Sequence, residues 1–385
     1  MSVTAAQGFV AAGVAAGLKS TGKRDVAVVL NQGPSHVAAG VLTSNRVVAA
    51  PVTWTRQALA DGRLDTVVLN SGGANAATGP EGFLDTHRTA EHAAAALGVS
   101  AGDVAVCSTG LIGVRLPLEK LLAGVDDAVA GLSAAGGPDA ALAIMTTDTV
   151  PKEAVARGDG WTVGGMAKGA GMLAPGLATM LCVITTDADV DPARAQAALD
   201  AATRATFNRV DSDGCMSTND TVLLLASGAS GIVPGADFED ALLNVCADLA
   251  RGLVADAEGA SHDIAVRVVN ATTEDAAEAV ARAITRSNLF KAAIFGQDPN
   301  WGRIISAAGT VPEEVAPFDA TTLDVTINGV QVCRASGVGD DRDLVDLSGR
   351  EVSIVLDLHA GDAEATVWTN DLTHDYVHEN SAYSS

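Results

Sequence analysis

Residues 166–188, MAKGAGMLAPGLATMLCVITTDA, decide how this chain is read. A Gly- and Pro-rich approach ends in Ala178 and Thr179, and the apolar run MLCVIT follows. That run has the length and β-branched content of a buried strand. A threonine at the start of a buried strand, behind a pliant loop, is where an enzyme with an N-terminal nucleophile places its reacting group. A Thr hydroxyl is a weak nucleophile and needs an adjacent base. Cutting the Ala178–Thr179 bond would supply one, because a free α-amino group titrates at about 7.7–8.0, and lower when partly buried. The same hydroxyl can make the cut by attacking the Ala178 carbonyl, giving an ester that water hydrolyses. The small Ala178 and nearby Gly176 suit the strained backbone this needs. A Thr that opens a strand is also what β propensity alone produces. By itself the segment leaves both readings open.

Outward from it, short β-rich runs alternate with Ala-rich helical patterns. Residues 25–30, 65–70 and 103–108 read as buried strands. Residues 81–97 and 117–132 read as helices with acidic first turns, and 192–207, 236–256 and 273–286 as further amphipathic helices. The runs TTLDVTIN, EVSIVLDL and AEATVWTN make the last sixty residues mostly strand. The class is mixed α and β, with sheet in both halves. Gly-rich stretches at 70–79, 108–113 and 164–180 punctuate it, residues 130–140 read as a surface loop, and residues 187–192, within DADVDPA, read as a bend and an approximate domain boundary.

A chain of 385 residues has room for one large domain or two moderate ones. Its net charge is −23, and its 24 Lys and Arg are scattered, which argues against nucleic-acid or anionic-lipid partners. The five cysteines (107, 182, 215, 246, 333) show no CxxC spacing, so neither a disulfide framework nor a zinc site is expected. The N-terminus lacks a basic region before its apolar part, and no run reaches membrane-spanning length. The expected location is the cytoplasm. GxxxxGK[ST], a GxGxxG after a strand, HExxH and GxSxG are all missing, and DSDG (211–214) lacks the Glu that a calcium loop requires. No metal and no tightly bound cofactor are expected. The chemistry then falls to hydroxyls, amines, carboxylates and backbone amides.

Six segments taken together resemble one family. KGAGMLAPGLATM (168–180) is similar to the cleavage region of the ornithine acetyltransferase family, also called glutamate N-acetyltransferase. STGLIG (108–113), IMTTDTVPKE (144–153), STNDTVLLLASG (217–228), GQDPNWGRI (296–304) and the closing DLTHDYVHENSAYSS follow the family's order. The resemblance covers nearly the whole chain. It implies a two-domain α/β fold of the N-terminal-nucleophile type with layered sheets and helices. It also implies self-cleavage into an α chain (1–178) and a β chain (179–385), assembled as an α2β2 heterotetramer. The implied reaction moves acetyl from N2-acetylornithine to glutamate through acetyl-Thr179 in arginine biosynthesis. Some members of the family also take acetyl from acetyl-CoA.

Roles follow from the resemblance position by position. Thr179 matches the nucleophile, Ala178–Thr179 the scissile bond, and Thr109 with Gly110 the oxyanion-hole pair. Donors of that kind each stabilise a transition state by about 3–4 kcal/mol. Substrate-binding positions fall on Thr146, Lys168, Thr179, Glu258, Asn380 and Ser385. A Lys suits a substrate α-carboxylate, and Glu258 suits the ornithine side-chain cation. Against these roles, a Lys in a Gly-rich loop is usually solvated, a Glu can simply end a helix, and a polar tail is usually disordered. The chain departs from the family at Gly73, Ala77, the terminal Ser-Ser and His262, which stands where a Lys is frequent. Asp298, Asn300, Trp301 and Arg303 read as packing and ion pairing rather than catalysis. Two other readings compete: an aminopeptidase or amidase whose acyl-Thr is resolved by water, and a non-enzymatic assembly protein that stays uncut. Lys168 and the tail 380–385 favour an amino-acid acceptor.

Overall fold

The computed structural model describes residues 2–174 and 180–382. Ala178, Thr179 and Ser385 lie outside the described residues. The chain forms two compact units. One runs to Asn208 and includes Cys215–Asp256; the other comprises Arg209–Gly214 and the residues from Ala257 onward.

The first unit runs β1 (Phe9–Val14), β2 (Val26–Asn31), β3 (Val37–Leu42), α1 (Ala50–Ala58), β4 (Thr66–Ser71), α2 (Gly79–Leu97), β5 (Val104–Thr109), α3 (Leu118–Ala130) and α4 (Gly137–Ile144). It continues with β6 (Lys152–Arg157), β7 (Thr162–Lys168), β8 (Leu181–Thr186), α5 (Pro192–Ala205), β9 (Thr221–Ala226) and α6 (Asp237–Ala255). The order β1-β2-β4-β5 makes one sheet and β3-β9-β8-β7-β6 a second. Because side chains alternate along a strand, each sheet has two different faces to bury. Ala27, Val29, Leu69 and Cys107 of the first sheet share a core with Met166, Leu181, Val183 and Leu223 of the second. The alternate residues Val26, Val28 and Val68 meet Ala90 and Ala93 of α2 and Leu121 and Val125 of α3. On the far side, α5 packs on β3 and α6 on β6 and β7. The layers are therefore helix, sheet, sheet, helix, a mixed α/β fold. Strands β4, β5, β8 and β9 are buried at every position, hence an apolar run of at least three residues in each, with the polar residues confined to the strand ends.

Three segments differ from their sequence reading. Residues 164–168, read from the sequence as part of a Gly-rich stretch, belong to strand β7. A Cβ on Gly164 would meet the Ser2 carbonyl oxygen at 2.4 Å, and one on Gly165 would crowd Leu249 and Val245 of α6 at 3.0 and 3.1 Å. The glycines there serve close packing. The second half of the expected 130–140 loop is the start of α4, with Pro138 in its first turn. The bend before residue 192 leads into α5, which Asp191 caps by accepting the Arg194 N–H. It lies inside the first unit. Beyond those three, the Ala-rich N-terminus, to which the sequence reading gave no element, supplies β1, where a Cβ on Gly13 would meet the Asp139 carbonyl oxygen at 2.0 Å.

The second unit runs β10 (Asp263–Ala271), α7 (Glu274–Thr285), α8 (Asn288–Phe295), α9 (Trp301–Ala308), β11 (Asp324–Ile327), β12 (Val330–Arg334), β13 (Gly337–Val338), β14 (Glu351–Asp357), β15 (Ala363–Asn370) and α10 (His374–Ala382). The sheet order is β13-β12-β11-β14-β10-β15, with β10 and β14 parallel. Ile264, Val266 and Val268 of β10 pack with Val280 and Ile284 of α7, Phe290 of α8 and Ile304 of α9. Asn300 caps α9, and Arg303 Nη1 donates to the Leu289 carbonyl at 2.5 Å. The GQDPNWGRI segment thus joins α8 to α9.

Candidate active site

The site in the first unit is built at the ends of three strands. β5 ends in Thr109, which is buried, and Gly110 follows with φ at +128°. That angle favours glycine. A Cβ at Gly110 would also lie 2.5 Å from the Gly73 nitrogen. The Gly73 N–H donates to the Thr109 carbonyl at 3.0 Å, so the 70–79 loop fixes the turn after β5. Asn70 receives the Ser108 hydroxyl at 2.6 Å and donates to the Gly73 carbonyl at 3.2 Å. From β9's side, Asn219 Nδ2 donates to the carbonyls of Ala74 (2.6 Å) and Ser108 (2.8 Å). The Asn-containing segments are ties between loops.

Lys168 is the last residue of β7 and is wholly buried, not solvated. Its Nζ donates to Thr109 Oγ1 at 3.3 Å and lies 3.9 Å from Asp148 Oδ2. Asp148 also accepts Lys152 Nζ at 2.6 Å and the N–H groups of Thr146 (2.9 Å) and Gly169 (2.7 Å). Lys152 Nζ reaches Asp256 Oδ2 at 2.6 Å. Burial opposes ionisation of Asp148, but the charges of Lys168 and Lys152 and these donors outweigh it and hold its pKa at about 2. The result is a buried Lys–Asp–Lys–Asp chain with Lys168 at its inner end. Sequence reading picked Lys168 and Thr146 but missed Asp148, Lys152 and Asp256. The available signal was the polar TTDTVPKE run directly after the apolar end of α4.

β8 pairs with β7 on one side and β9 on the other. Just before it, the Met180 N–H donates to Asp220 Oδ1 at 3.1 Å. Asp220 is fully buried, and its Oδ2 has no hydrogen-bond partner among the described residues. Burial pushes its pKa well above the ordinary carboxylate range, against the Met180 donor. The segment STNDT, left open by the sequence, therefore holds the backbone next to position 179.

Glu258 and Asn380 belong to the second unit, where Asn380 Nδ2 donates to Glu258 Oε2 at 3.0 Å. Glu258 lines a cavity of about 360 Å³ with Arg286, Lys291, Asp371 and Tyr376. Gly259 beside it has φ at +61°, and a Cβ there would meet the Tyr376 nitrogen at 2.2 Å, so the turn sits hard against α10. His262 is buried, with Nδ1 2.7 Å from Asp371 Oδ2 and Nε2 3.1 Å from the Leu347 carbonyl. Burial opposes the Asp371 charge, but the His262 and Ser261 donors hold its pKa below the usual range. His262 thus ties β10 to the end of β15. Among the described residues no group of three or more His, Cys, Asp or Glu side chains could hold a metal ion. No helix among them is long and apolar enough to cross a membrane.

The sequence model of the ArgJ family matches residues 10–385. The chain belongs to the ArgJ family. The arginine biosynthesis bifunctional protein ArgJ of Streptomyces coelicolor is 65% identical to it over 386 residues, covering all of both chains. That of Thermobifida fusca is 62% identical over the same span, again covering both. The crystal structure of ornithine acetyltransferase from Mycobacterium tuberculosis, complexed with ornithine, is 60% identical, covering 47% of this chain and 96% of that one, with a TM-score of 0.45. As an ArgJ family member, the chain carries the STG, TTDT and STND segments on the elements just described.

Proposed function

We propose that this ArgJ family member is a self-processing acetyltransferase of arginine biosynthesis. It moves acetyl from N2-acetylornithine to L-glutamate through an ester on Thr179. The observation that carries the reading is Lys168 donating to Thr109 Oγ1 next to Gly110. A hydroxyl that accepts from an ammonium keeps its own proton for a second partner. Thr109 Oγ1–H and the Gly110 N–H then form the donor pair for an oxyanion.

In processing, the Thr179 hydroxyl attacks the Ala178 carbonyl, the peptide bond shifts to an ester, and water releases the α chain. The new α-amine takes the proton of the Thr179 hydroxyl, which attacks the acetyl carbonyl of N2-acetylornithine. The C–N bond breaks, the ornithine amine leaves with the proton, and acetyl-Thr179 remains. The glutamate amine then attacks this ester, and the Thr179 oxygen regains a proton. Thr146 and Lys168 serve the substrate's polar groups, and Glu258 with Asn380 and Ser385 the amino-acid ends. Acetyl-CoA can enter as an alternative donor. No resident cofactor or metal takes part. The α and β chains of one precursor assemble as an α2β2 heterotetramer in the cytoplasm, with small molecules as the other partners.

The test is transfer without coenzyme A. Purified protein is incubated with N2-acetylornithine and glutamate, and N-acetylglutamate is followed by mass spectrometry. Glutamate-dependent product supports the reading. Free acetate and ornithine without N-acetylglutamate would make the chain an amidase.

A further inference from the structure

In a chain of net charge −23, a cavity among the described residues is lined by three cations. It lies in the first unit, holds about 610 Å³, and is lined by Lys19, Lys23 and Arg24 of the β1–β2 loop together with Leu142, Met145 and Thr146. The loop is preformed. Buried Asp25 accepts the N–H groups of Ala16 and Leu18 at 2.6 Å each and of Lys19 at 3.0 Å. Lys19 Nζ is braced on the Arg24 carbonyl at 2.7 Å, and Arg24 pairs with Asp139 at 3.0 Å. Asp148 also lines the cavity, but Lys152 and Lys168 already neutralise it. The cavity therefore presents surplus positive charge beside an apolar wall. Thr146 and Asp148 are part of its lining, and Lys168, outside it, lies 3.9 Å from Asp148 and donates to Thr109.

We propose that this cavity is an anion subsite of the transfer reaction, in which Lys19 holds the carboxylate or phosphate of a substrate whose reacting end lies at Thr109. This rests on the reading above. Two sources carry such an anion: the side-chain carboxylate of an acidic amino-acid acceptor, and the phosphates of a thioester acyl donor. Lys19 is half-buried, and burial brings its pKa down to about 8, with Asp25 and Asp148 opposing and Lys168 and Lys23 assisting. Its charge is present below that pH and lost above it. The other charged groups on the loop or in contact with it are Arg24, Lys120 of α3, which donates to the Gly17 carbonyl, and Asp139 of α4.

Calorimetric binding tests this without needing turnover, so a failed transfer assay and a failed subsite are told apart. Glutarate, glutamate, inorganic pyrophosphate, acetyl-CoA and N2-acetylornithine are titrated into wild type, Lys19→Gln and Lys19→Arg. Loss of one charge-assisted contact is expected to weaken an anionic ligand on the order of 10-fold in Lys19→Gln. Lys19→Arg should retain it, and N2-acetylornithine should change less than about 2-fold. A change in glutarate and glutamate identifies the acceptor; a change in pyrophosphate and acetyl-CoA identifies the donor. The affinity of that anion should fall in wild type as pH rises through 8 and stay flat in Lys19→Arg. Anions that bind Lys19→Gln as well as wild type, or no anion binding at all, would overturn the proposal.

Discussion

Thr109 accepts from Lys168 with its hydroxyl and, in the proposed mechanism, also donates with it toward developing charge. Replacing it by Val keeps the β-branched shape and removes both. We expect kcat to fall on the order of 10²–10³-fold with a much smaller change in KM, read from steady-state transfer kinetics. Asp148 is the hinge of the buried charge chain. Its folded pKa of about 2 lies below its ordinary 3.8. Its ion pairs therefore stabilise the fold fully above about pH 4, and that stability is lost as pH falls toward 2. The difference amounts to about 2 kcal/mol. Asp148→Asn should lower stability at pH 7 by at least that order and flatten the acid dependence between about pH 4 and 2, measured by denaturant unfolding. An Asn variant with the wild-type pH profile would remove Asp148 from this role.

At the scale of elements, the turn after β5 and the start of β8 carry the account. Gly110→Ala sets a side chain at +128° against the Gly73 nitrogen. It should cost about 1–3 kcal/mol in thermal or denaturant unfolding and abolish most transfer. Asp220, which accepts the Met180 N–H just before β8, is a buried carboxyl whose pKa is raised. Asp220→Asn, which keeps an acceptor for Met180, should still process, whereas Asp220→Ala should process slowly in a time course of chain cleavage. Equal rates in the two variants would exclude a positioning role. The strands flanking these points were legible because β4, β5 and β8 are buried on both faces and read as apolar runs. β7 was not legible. Its Gly164 and Gly165 resemble loop residues, yet they answer to neighbours far along the chain, Ser2 and the α6 residues Leu249 and Val245. β1 and α4 hide for the same reason: Gly13 and Gly136 are small because the backbones of 139 and 11 press on them. Lys168 was legible as a site residue only through the family resemblance, since nothing local shows that a Lys after Met-Ala will be buried. Its partners Asp148 and Lys152 come from the loop after α4 and from β6, a pairing set by the sheet.

On the scale of the whole molecule, the five cysteines form no disulfide, and Cys107, Cys182, Cys246 and Cys333 are buried while Cys215 is exposed. Burial also raises the Cys107, Cys182 and Cys246 pKa values, which disfavours the reactive thiolate. A native thiol titration should count one fast group, and five after denaturation. Several fast groups in the native protein would contradict this packing. The whole-chain claim is that one precursor becomes two chains, the second opening with an acylated Thr179. Intact-mass analysis after incubation with N2-acetylornithine, with glutamate omitted, tests it directly. The account predicts fragments 1–178 and 179–385, with one acetyl group on residue 179 that disappears when glutamate is added. A single uncut chain, or an acetyl group at any other residue, would contradict it.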